Sequence, residues 1–349
     1  IVGVAAVFSM NSCSDDDYTS KYDNPGQTST ASCDKLMTGV FYAGKDFTFN
    51  SYWRMYTWDN GIIGRYAQTI GFTNSPGGMY SASDSYANDR WENFYQILAQ
   101  YRALQNVYTT EDANKQENDK IFLDLAEIFV YDHLSQLIDA FGDVPFEKAG
   151  YLGITGDVTG SYPSYDKATD LYTTMIQRLG ALYTELKSLD GNLPPTTASA
   201  LPAQDFINKG DLNKWMLYCN NLRLRLAVRV ASQGPLASLG KEAIANILDG
   251  NLPVSTTFDD NIFVVGDDGS VDDFNFADGI RDGYKSHSRA SQAMLDVLLT
   301  ESTLSMTIAS PSCTQRMQLE NIKVFLHMKT MEIKKLIQVF QKASAFIHV

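Results

Sequence analysis

The clearest pattern in the chain is a run of apolar residues at three- and four-residue steps within residues 119–147. The repeating residues are Phe122, Leu125, Phe129, Leu134, Leu137, Ile138 and Phe141. This spacing puts one wide apolar stripe on a helix of about seven turns. Gly142 can take the left-handed conformation that ends a helix, and Pro145 cannot continue it. We therefore predict a long buried helix that ends near Gly142.

Similar spacing predicts further helices that form antiparallel pairs. They begin at Cys33 and near Asn88 or Asp89, and continue at residues 164–189 with Ser164 as cap, 215–230 and 241–248. Residues 59–89 are rich in Gly, Ser, Asn and Tyr, which predicts a long loop. Residues 191–202 contain Gly and Pro and are predicted to break the chain. The pattern is typical of a mostly α fold with long irregular loops.

Two motifs on these predicted helices resemble those of a known family. Residues 141–146 read FGDVPF, and residues 210–229 read GDLNKWMLYCNNLRLRLAVR. In this order they resemble the SusD/RagB proteins, the lipid-anchored nutrient binders of the Bacteroidetes outer membrane. The resemblance spans roughly residues 13–300 and implies a SusD-type helical-repeat scaffold of tetratricopeptide (TPR) kind. The sequence itself shows no clean period of about 34 residues, so the repeat is an implication of the resemblance alone.

The first residues are typical of an export signal. Residues 1–10 form an apolar run that is too short to span a bilayer and suits the core of a signal peptide. No Met or basic residue opens this run, so we expect the sequence to be truncated there. Residues 10–13, MNSC, are similar to a bacterial lipoprotein cleavage site, in which Cys13 becomes the lipidated first residue. The acidic residues 14–17 resemble a surface-export signal, or form a solvated leader.

These features divide the chain into four parts. Residues 1–12 are interpreted as a signal-peptide remnant, residues 13–30 as a lipid-anchored flexible tether, and residues 31–300 as the N-terminal part of a SusD-like helical domain. Residues 301–349 lack Tyr, Trp, Gly and Asp and carry six Lys or Arg against three Asp or Glu, in a chain of net charge -13. We hypothesise that this tail is a frame-shifted reading and that the family domain is therefore truncated at both ends.

Composition and motifs exclude several classes of protein. The net charge of -13 disfavours nucleic acid as a partner, because binding to phosphates needs a basic face. No phosphate-binding loop, Gly-x-Ser-x-Gly elbow or His-Glu-x-x-His motif is present. The cysteines Cys13, Cys33, Cys219 and Cys313 form no CxxC pair, so no metal site and no cofactor is predicted. The carboxylates in residues 259–273 could hold calcium, although a solvated acidic loop fits their spacing better.

Several polar residues of the predicted helices have two interpretations each. Arg223, Arg225 and Arg229 could form an anion site, but pairing with carboxylates of neighbouring helices is the interpretation we favour. His133 lies near the apolar stripe and is interpreted as a packing residue with satisfied hydrogen bonds. No pair of carboxylates stands out as catalytic, so we predict a binding protein and not an enzyme.

The aromatic residues are the candidate binding groups. A pyranose has apolar C–H faces that a flat aromatic ring can cover, and hydroxyl edges that polar side chains can bind. The aromatic-rich segments 52–58 and 80–86 offer such rings, and we predict Trp53, Trp58, Tyr80 and Tyr86 as ligand-binding residues. The alternative is that Trp53 and Trp58 simply pack against the first helix.

The resemblance implies a function at the cell surface. The protein would be a lipid-anchored, glycan-binding lipoprotein of the outer membrane, acting as the lid of a SusC-like TonB-dependent transporter for oligosaccharide uptake. Three alternatives are open. The protein could bind peptides or another nutrient within the same family, process glycosides as an α-helical enzyme, or serve as a helical interaction scaffold without a small ligand.

Overall fold

The structure is a computed structural model, and it describes residues 31–49, 51–72, 83–256 and 288–296. The predictions for Cys13, Tyr80, the carboxylate-rich residues 259–273 and the tail lie outside the described residues.

The described chain is built almost wholly from helices, which confirms the predicted mostly α fold. In chain order they are α1 Cys33–Ala43, α2 Lys45–Thr48, a π-helix Trp53–Ile63, α3 Gly64–Tyr66, α4 Asp84–Thr110, α5 Ala113–Phe141, α6 Leu152–Thr155, a 3₁₀ helix Thr159–Ser161, α7 Ala168–Leu189, α8 Pro195–Gln204, α9 Leu212–Ala231 and α10 Ala237–Leu248. Two short strands, β1 Ile70–Phe72 and β2 Ser288–Ala290, pair antiparallel with Ile70 opposite Ala290. None of the helices in the described ranges is long and apolar enough to cross a membrane.

Helix α5 is the predicted long helix, and it lies at the centre of the fold. The Asp112 carboxylate caps its start by accepting hydrogen bonds from the backbone N–H groups of Asn114 and Lys115, each at 3.0 Å. Its end follows the prediction, because Gly142 has a φ of 79° and donates its N–H to Ile138. The helix packs against α1, α4, α7, α8 and α9. The predicted apolar stripe is buried except for Phe141, which is 37% exposed.

Burial of α5 extends beyond that stripe to polar residues. Asp124, Asp132 and His133 are all buried, so the helix is surrounded on several sides. Asp124 accepts hydrogen bonds from Lys120 at 2.6 Å and from Arg178 of α7 at 3.4 Å. These partners make burial of the carboxylate tolerable, because an unpaired charge in the interior is very costly.

Asp132 is held in the same way by helix α9. Arg225 Nη2 donates to Asp132 Oδ1 at 2.5 Å, and the Tyr218 hydroxyl donates to Oδ2 at 2.6 Å. Burial alone would raise the pKa of Asp132, but Arg225 and these hydrogen bonds lower it below its ordinary value. Arg229 pairs with Asp139 of α5, so the predicted pairing is confirmed for Arg225 and Arg229. Arg223 instead donates to the Ile176 carbonyl and the Asn246 amide oxygen.

The FGDVPF turn after α5 exchanges hydrogen bonds with the start of α7. Asp143 Oδ1 accepts from the Ala168 N–H at 2.8 Å, and Asp166 Oδ2 accepts from the Phe146 N–H at 2.7 Å. The predicted cap at Ser164 is therefore wrong, since α7 begins at Ala168. The capping carboxylate comes from a segment distant in sequence, which local spacing does not indicate.

Four other predictions are corrected by the structure. Helix α4 begins at Asp84 and not near residue 88, and α10 begins at Ala237 and not at residue 241. Much of the predicted loop 59–89 is helical, because the π-helix runs to Ile63 and α3 follows it. The predicted break at residues 191–202 contains helix α8, in which Pro195 occupies the first turn, where a proline costs no hydrogen bond.

The second family motif is built around a buried carboxylate, Asp205. Its two oxygens accept hydrogen bonds from the backbone N–H groups of Ile207, Asn208 and Gly210 at 2.9 to 3.0 Å. Oδ2 also accepts from Trp215 Nε1 at 2.7 Å. All four partners are donors and Asp205 is fully buried, so this position requires an acceptor-only side chain. The carboxylate thereby fixes the turn that leads into α9.

We predict that Asp205→Ala lowers the free energy of unfolding by about 3 kcal/mol, because four donors lose their partner in the interior. Asp205→Asn is also expected to destabilise, since its amide N–H₂ would face other donors. Urea unfolding followed by circular dichroism measures both.

The matched control is Asp211→Ala. Asp211 caps α9 through the N–H groups of Asn213 and Lys214 but is exposed, so its loss should cost only about 1 kcal/mol. Equal losses for Asp205→Ala and Asp211→Ala would contradict the assignment.

Candidate functional site

The π-helix Trp53–Ile63 forms a platform on the side of α4. Arg54 anchors this helix. Its Nη1 donates to the carbonyls of Phe47 at 2.8 Å and Thr48 at 2.9 Å, and its Nε pairs with Asp59 at 3.4 Å. A long π-helix is rare, and such segments occur frequently at functional sites. The platform is therefore a rigid element and a candidate site.

Two glycines let other residues approach this platform closely. A Cβ atom on Gly61 would lie 2.8 Å from the ring of Tyr86, and one on Gly64 would lie 2.7 Å from the side chain of Ile70. Side chains at these positions would therefore push away the start of α4 and strand β1. Glycine at residue 61 makes the contact between the π-helix and Tyr86 possible.

Four aromatic residues meet here, and we refer to Tyr52, Trp53, Tyr56 and Tyr86 as the aromatic cluster. The Tyr52 and Tyr56 rings stack, with centroids 5.0 Å apart and planes 14° apart. Trp53 meets the edge of Tyr52 at 5.5 Å, and Tyr86 meets the edge of Tyr56 at 6.2 Å. Tyr52 and Trp53 are 46% and 42% exposed, so the cluster presents aromatic faces to solvent.

The predicted site residues have different positions in the structure. Trp53 is exposed and Tyr86 is half-buried, and both belong to the aromatic cluster. Trp58 is only 7% exposed, so it offers no face to a ligand and packs in the interior. Tyr80 lies outside the described residues. Tyr52 was not singled out from the sequence, although its four-residue spacing from Tyr56 is the signal of a shared helical face.

The hydroxyls of Tyr52 and Tyr86 have raised pKa values and are protonated at neutral pH. Burial, and then the neighbouring hydroxyl of Tyr56, raise the pKa of Tyr86 to about 12. Burial also raises the pKa of Tyr52. These hydroxyls can therefore donate hydrogen bonds to ligand oxygens while the rings cover an apolar face.

A second group of aromatic residues lies further along α4. Trp91 contacts Tyr95, Phe141 and Tyr165, with ring centroids 5.1, 5.3 and 6.4 Å away. Tyr95 donates its hydroxyl hydrogen bond to the Pro145 carbonyl in the FGDVPF turn. This group joins α4 to the end of α5. Its outermost member, Tyr165, is exposed.

Beneath the platform, His133 links α5 to α2 and α4. Arg90 Nη2 donates to His133 Nδ1 at 3.2 Å, so His133 Nε2 carries the proton and donates to Thr48 Oγ1 at 2.9 Å. Thr48 in turn donates to the Gly44 carbonyl. Burial, and then Arg90, lower the pKa of His133 well below its ordinary value, so the ring is neutral. The interpretation of His133 as a satisfied packing residue is confirmed.

The potential metal ligands of the described residues group elsewhere. Within the described ranges, Cys33, Glu111 and Asp119 are the only group of three His, Cys or carboxylate side chains close enough to share an ion. Glu111 follows the last turn of α4, whereas Tyr86 lies in its first turn. What the aromatic cluster offers a ligand is aromatic faces and hydroxyl groups.

Comparison with known proteins identifies relatives of this chain. A SusD-like family model, described as starch-binding and associating with the outer membrane, matches residues 25–302. A comparison with curated proteins found no match.

Solved structures share the fold. A SusD/RagB family protein from Bacteroides thetaiotaomicron is 19% identical with a TM-score of 0.55, over 78% of this chain and 52% of that protein. A chitin-binding SusD homologue from Flavobacterium johnsoniae is 20% identical with a TM-score of 0.53, over 66% of this chain and 45% of that protein. The chain thus spans about half the length of these proteins, and at such identity the likeness shows the fold alone.

We predict that His133→Gln flattens the dependence of stability on pH. Because the folded pKa of His133 lies below its ordinary value of 6.5, only the unfolded chain takes up this proton as the pH falls below 6.5. His133 should therefore lower the free energy of unfolding of the wild type by about 1 kcal/mol for each pH unit between pH 6.5 and 5. The variant should not show this decrease.

Urea unfolding at several pH values measures the difference between the two proteins. Burial raises the pKa of Asp124 to about 7, so this group contributes a pH dependence of stability with the opposite sign. It does so in both proteins, and its contribution cancels when they are compared. Parallel pH profiles for wild type and His133→Gln would contradict a neutral buried histidine.

Proposed function

This chain belongs to the SusD-like family, and on that premise we propose that it is a glycan-binding lipoprotein of the outer-membrane surface. It captures an oligosaccharide with the aromatic cluster and hands it to a SusC-like TonB-dependent transporter, for which it serves as the lid. The family is described as starch-binding and associating with the outer membrane, which supports the class of ligand and the location.

The observation that carries the proposal is the solvent-facing arrangement of Tyr52 and Trp53. Their rings are almost perpendicular, at 80°, and both are nearly half exposed on a platform that Arg54 anchors. Exposed large aromatic residues held in place by their neighbours are unusual on a soluble surface unless they bind something. Two rings at an angle can cover one face and one edge of a pyranose, and the Tyr52 hydroxyl can bind a sugar oxygen.

Lipid attachment is the second part of the proposal. Residues 10–13 are similar to a lipoprotein cleavage site, and the polar composition of the residues that follow Cys13 supports a tether before α1. A lipidated Cys13 with several acyl chains would hold the protein at the membrane surface while the tether allows the domain to move as a lid.

The protein acts by binding and has no catalytic role in this proposal. The buried carboxylates of α5 support it, because Asp124 and Asp132 are occupied by arginine and lysine partners and serve the scaffold. A peptide as ligand is the alternative within the family, since an aromatic surface can also bind apolar side chains.

We predict that Trp53→Ala weakens glycan binding at least about tenfold, because exposed tryptophans at binding surfaces contribute most of the affinity. Retardation of the full chain in native gels containing starch, chitin oligosaccharides or other plant and host glycans measures it. Tyr52→Phe, which removes only the hydroxyl, should cause a smaller loss.

The control for this experiment is Tyr162→Ala. Tyr162 is 84% exposed and lies outside the aromatic cluster, so binding should be unchanged. Retention of a glycan with full affinity by Trp53→Ala would place the site elsewhere. Binding of peptides but of no glycan would favour the peptide binder, and hydrolysis of a glycan would favour an enzyme.

For the anchor, we predict that Cys13→Ala moves the protein from the membrane fraction to the soluble fraction when it is expressed from its own gene. The wild type should co-purify with a TonB-dependent transporter after mild detergent extraction. Cys219→Ala, which changes a buried cysteine of α9, is the control and should stay with the membrane. A Cys13→Ala protein that remains in the membrane fraction would refute lipid attachment at this residue.

A further inference from the structure

Three potential metal ligands converge at the end of α4 that lies opposite the aromatic cluster. Cys33 is the first residue of α1, Glu111 lies in the short connection between α4 and α5, and Asp119 lies near the start of α5. One ligand atom from each residue lies within 4.8 Å of the others. We refer to these three residues as the Cys33 cluster.

One member of the Cys33 cluster has an unused acceptor atom. The Glu111 side chain is only 6% exposed, and its Oε2 has no hydrogen-bond partner among the described residues. A buried carboxylate oxygen without a partner costs free energy and calls for an explanation, of which an absent cation is one. The other oxygen of the same carboxylate, Oε1, accepts a hydrogen bond from the Cys33 thiol.

A single lysine, Lys115, offsets part of the negative charge of the cluster. Lys115 Nζ pairs with Glu111 Oε1 and lies 3.5 Å from Asp119 Oδ2. Its side chain is 51% exposed, so it can rotate into solvent without uncovering a core. Lys115 is therefore the cation beside Glu111 and Asp119, and a metal ion could replace it there.

We propose that Cys33, Glu111 and Asp119 form a binding site for a zinc-type divalent cation, which displaces Lys115. A thiolate with two carboxylates suits a borderline-soft ion such as Zn²⁺ and not Ca²⁺, which takes oxygen ligands only. Three protein ligands leave a fourth position for water.

One separation within the cluster matches this ion. Cys33 Sγ and Glu111 Oε1 are 3.6 Å apart. A tetrahedral Zn²⁺ with bonds of about 2.3 Å to sulfur and about 2.1 Å to oxygen places the two ligand atoms about 3.6 Å apart. The Asp119 side chain is 17% exposed and can adjust its rotamer to complete the set.

Metal binding requires the Cys33 thiol to lose its proton. Burial, and then the Glu111 charge, raise the pKa of this thiol to about 12, so in the metal-free protein it is protonated and donates to Glu111. A divalent charge between the ligands reverses this preference. As the metal–sulfur bond forms, the S–H bond breaks and its proton passes to solvent, so affinity should rise with pH.

The site would tie the start of α1 to the hairpin of α4 and α5. About 37 Å of helix separates Glu111 from Tyr86, given the rise of 1.5 Å per residue. The inference is therefore independent of glycan binding at the aromatic cluster. A bound ion would stabilise this end of the domain, because it binds the folded chain and not the unfolded one.

The test is a titration of the full chain with Zn²⁺ and Cd²⁺. Cd²⁺ should produce a thiolate-to-metal absorption band in the ultraviolet, and Zn²⁺ should compete it away. In a chain that carries Cys13→Ala and Cys313→Ala, Cys33→Ala should abolish the band, whereas the matched variant Cys219→Ala, in which the other buried cysteine of the described residues is removed, should keep it. No band in the wild type, or a band that persists in Cys33→Ala, would overturn the proposal.

Two milder variants give an independent readout if Cys33→Ala does not fold. Asp119→Asn should weaken Cd²⁺ binding at least about tenfold, and Lys115→Gln should tighten it about tenfold because the competing cation is gone. Lys148→Gln, at an exposed lysine away from the cluster, should change nothing. Unchanged affinity in both Asp119→Asn and Lys115→Gln would exclude the site.

Discussion

The structure depends on neutralising two carboxylates that are buried on one central helix. Asp124 and Asp132 face inward from α5, where an unpaired charge would be prohibitively costly. Lys120 and Arg178 neutralise the first, and Arg225 with Tyr218 neutralises the second. Because Arg178 lies on α7 and Arg225 on α9, both carboxylates keep their partners only when α7 and α9 pack against α5. The ion pairs therefore specify how the helices pack more than they add to stability.

This fixed centre determines where the functional surfaces lie. Helix α4 packs along α5, and the π-helix rests on its first turns through the contact of Tyr86 with Gly61. The aromatic cluster is thus held by a chain of contacts that leads through Arg90 and His133 to α5. The last turns of α4 bring Glu111 to Cys33. The two proposed sites, one aromatic and one ionic, therefore lie at opposite ends of the same helix.

Much of this scaffold could be predicted from sequence. The apolar period of α5 and the Gly-Asp-Val-Pro turn marked a helix whose end the structure confirms, and the two motifs indicated the family. The π-helix could not be predicted, because Asp59, Asn60 and Gly61 within it are typical of a turn and its i→i+5 hydrogen bonds follow a different period. For the same reason the exposure of Trp53 and the burial of Trp58 could not be assigned from an α-helical pattern. The Cys33 cluster has no sequence signal, since its members come from separate elements.

The most direct test of the account is hydrogen–deuterium exchange of the full chain with and without the glycan that it retains. The account predicts added protection in residues 52–66 and 84–95, which carry the aromatic cluster and the first turns of α4, and none at residues 111–119. The surface groove between α7, α9 and α10, lined by Ile176, Arg223 and Asn246, should also be unaffected. Protection confined to that groove, with the segments of the aromatic cluster unchanged, would contradict the central claim.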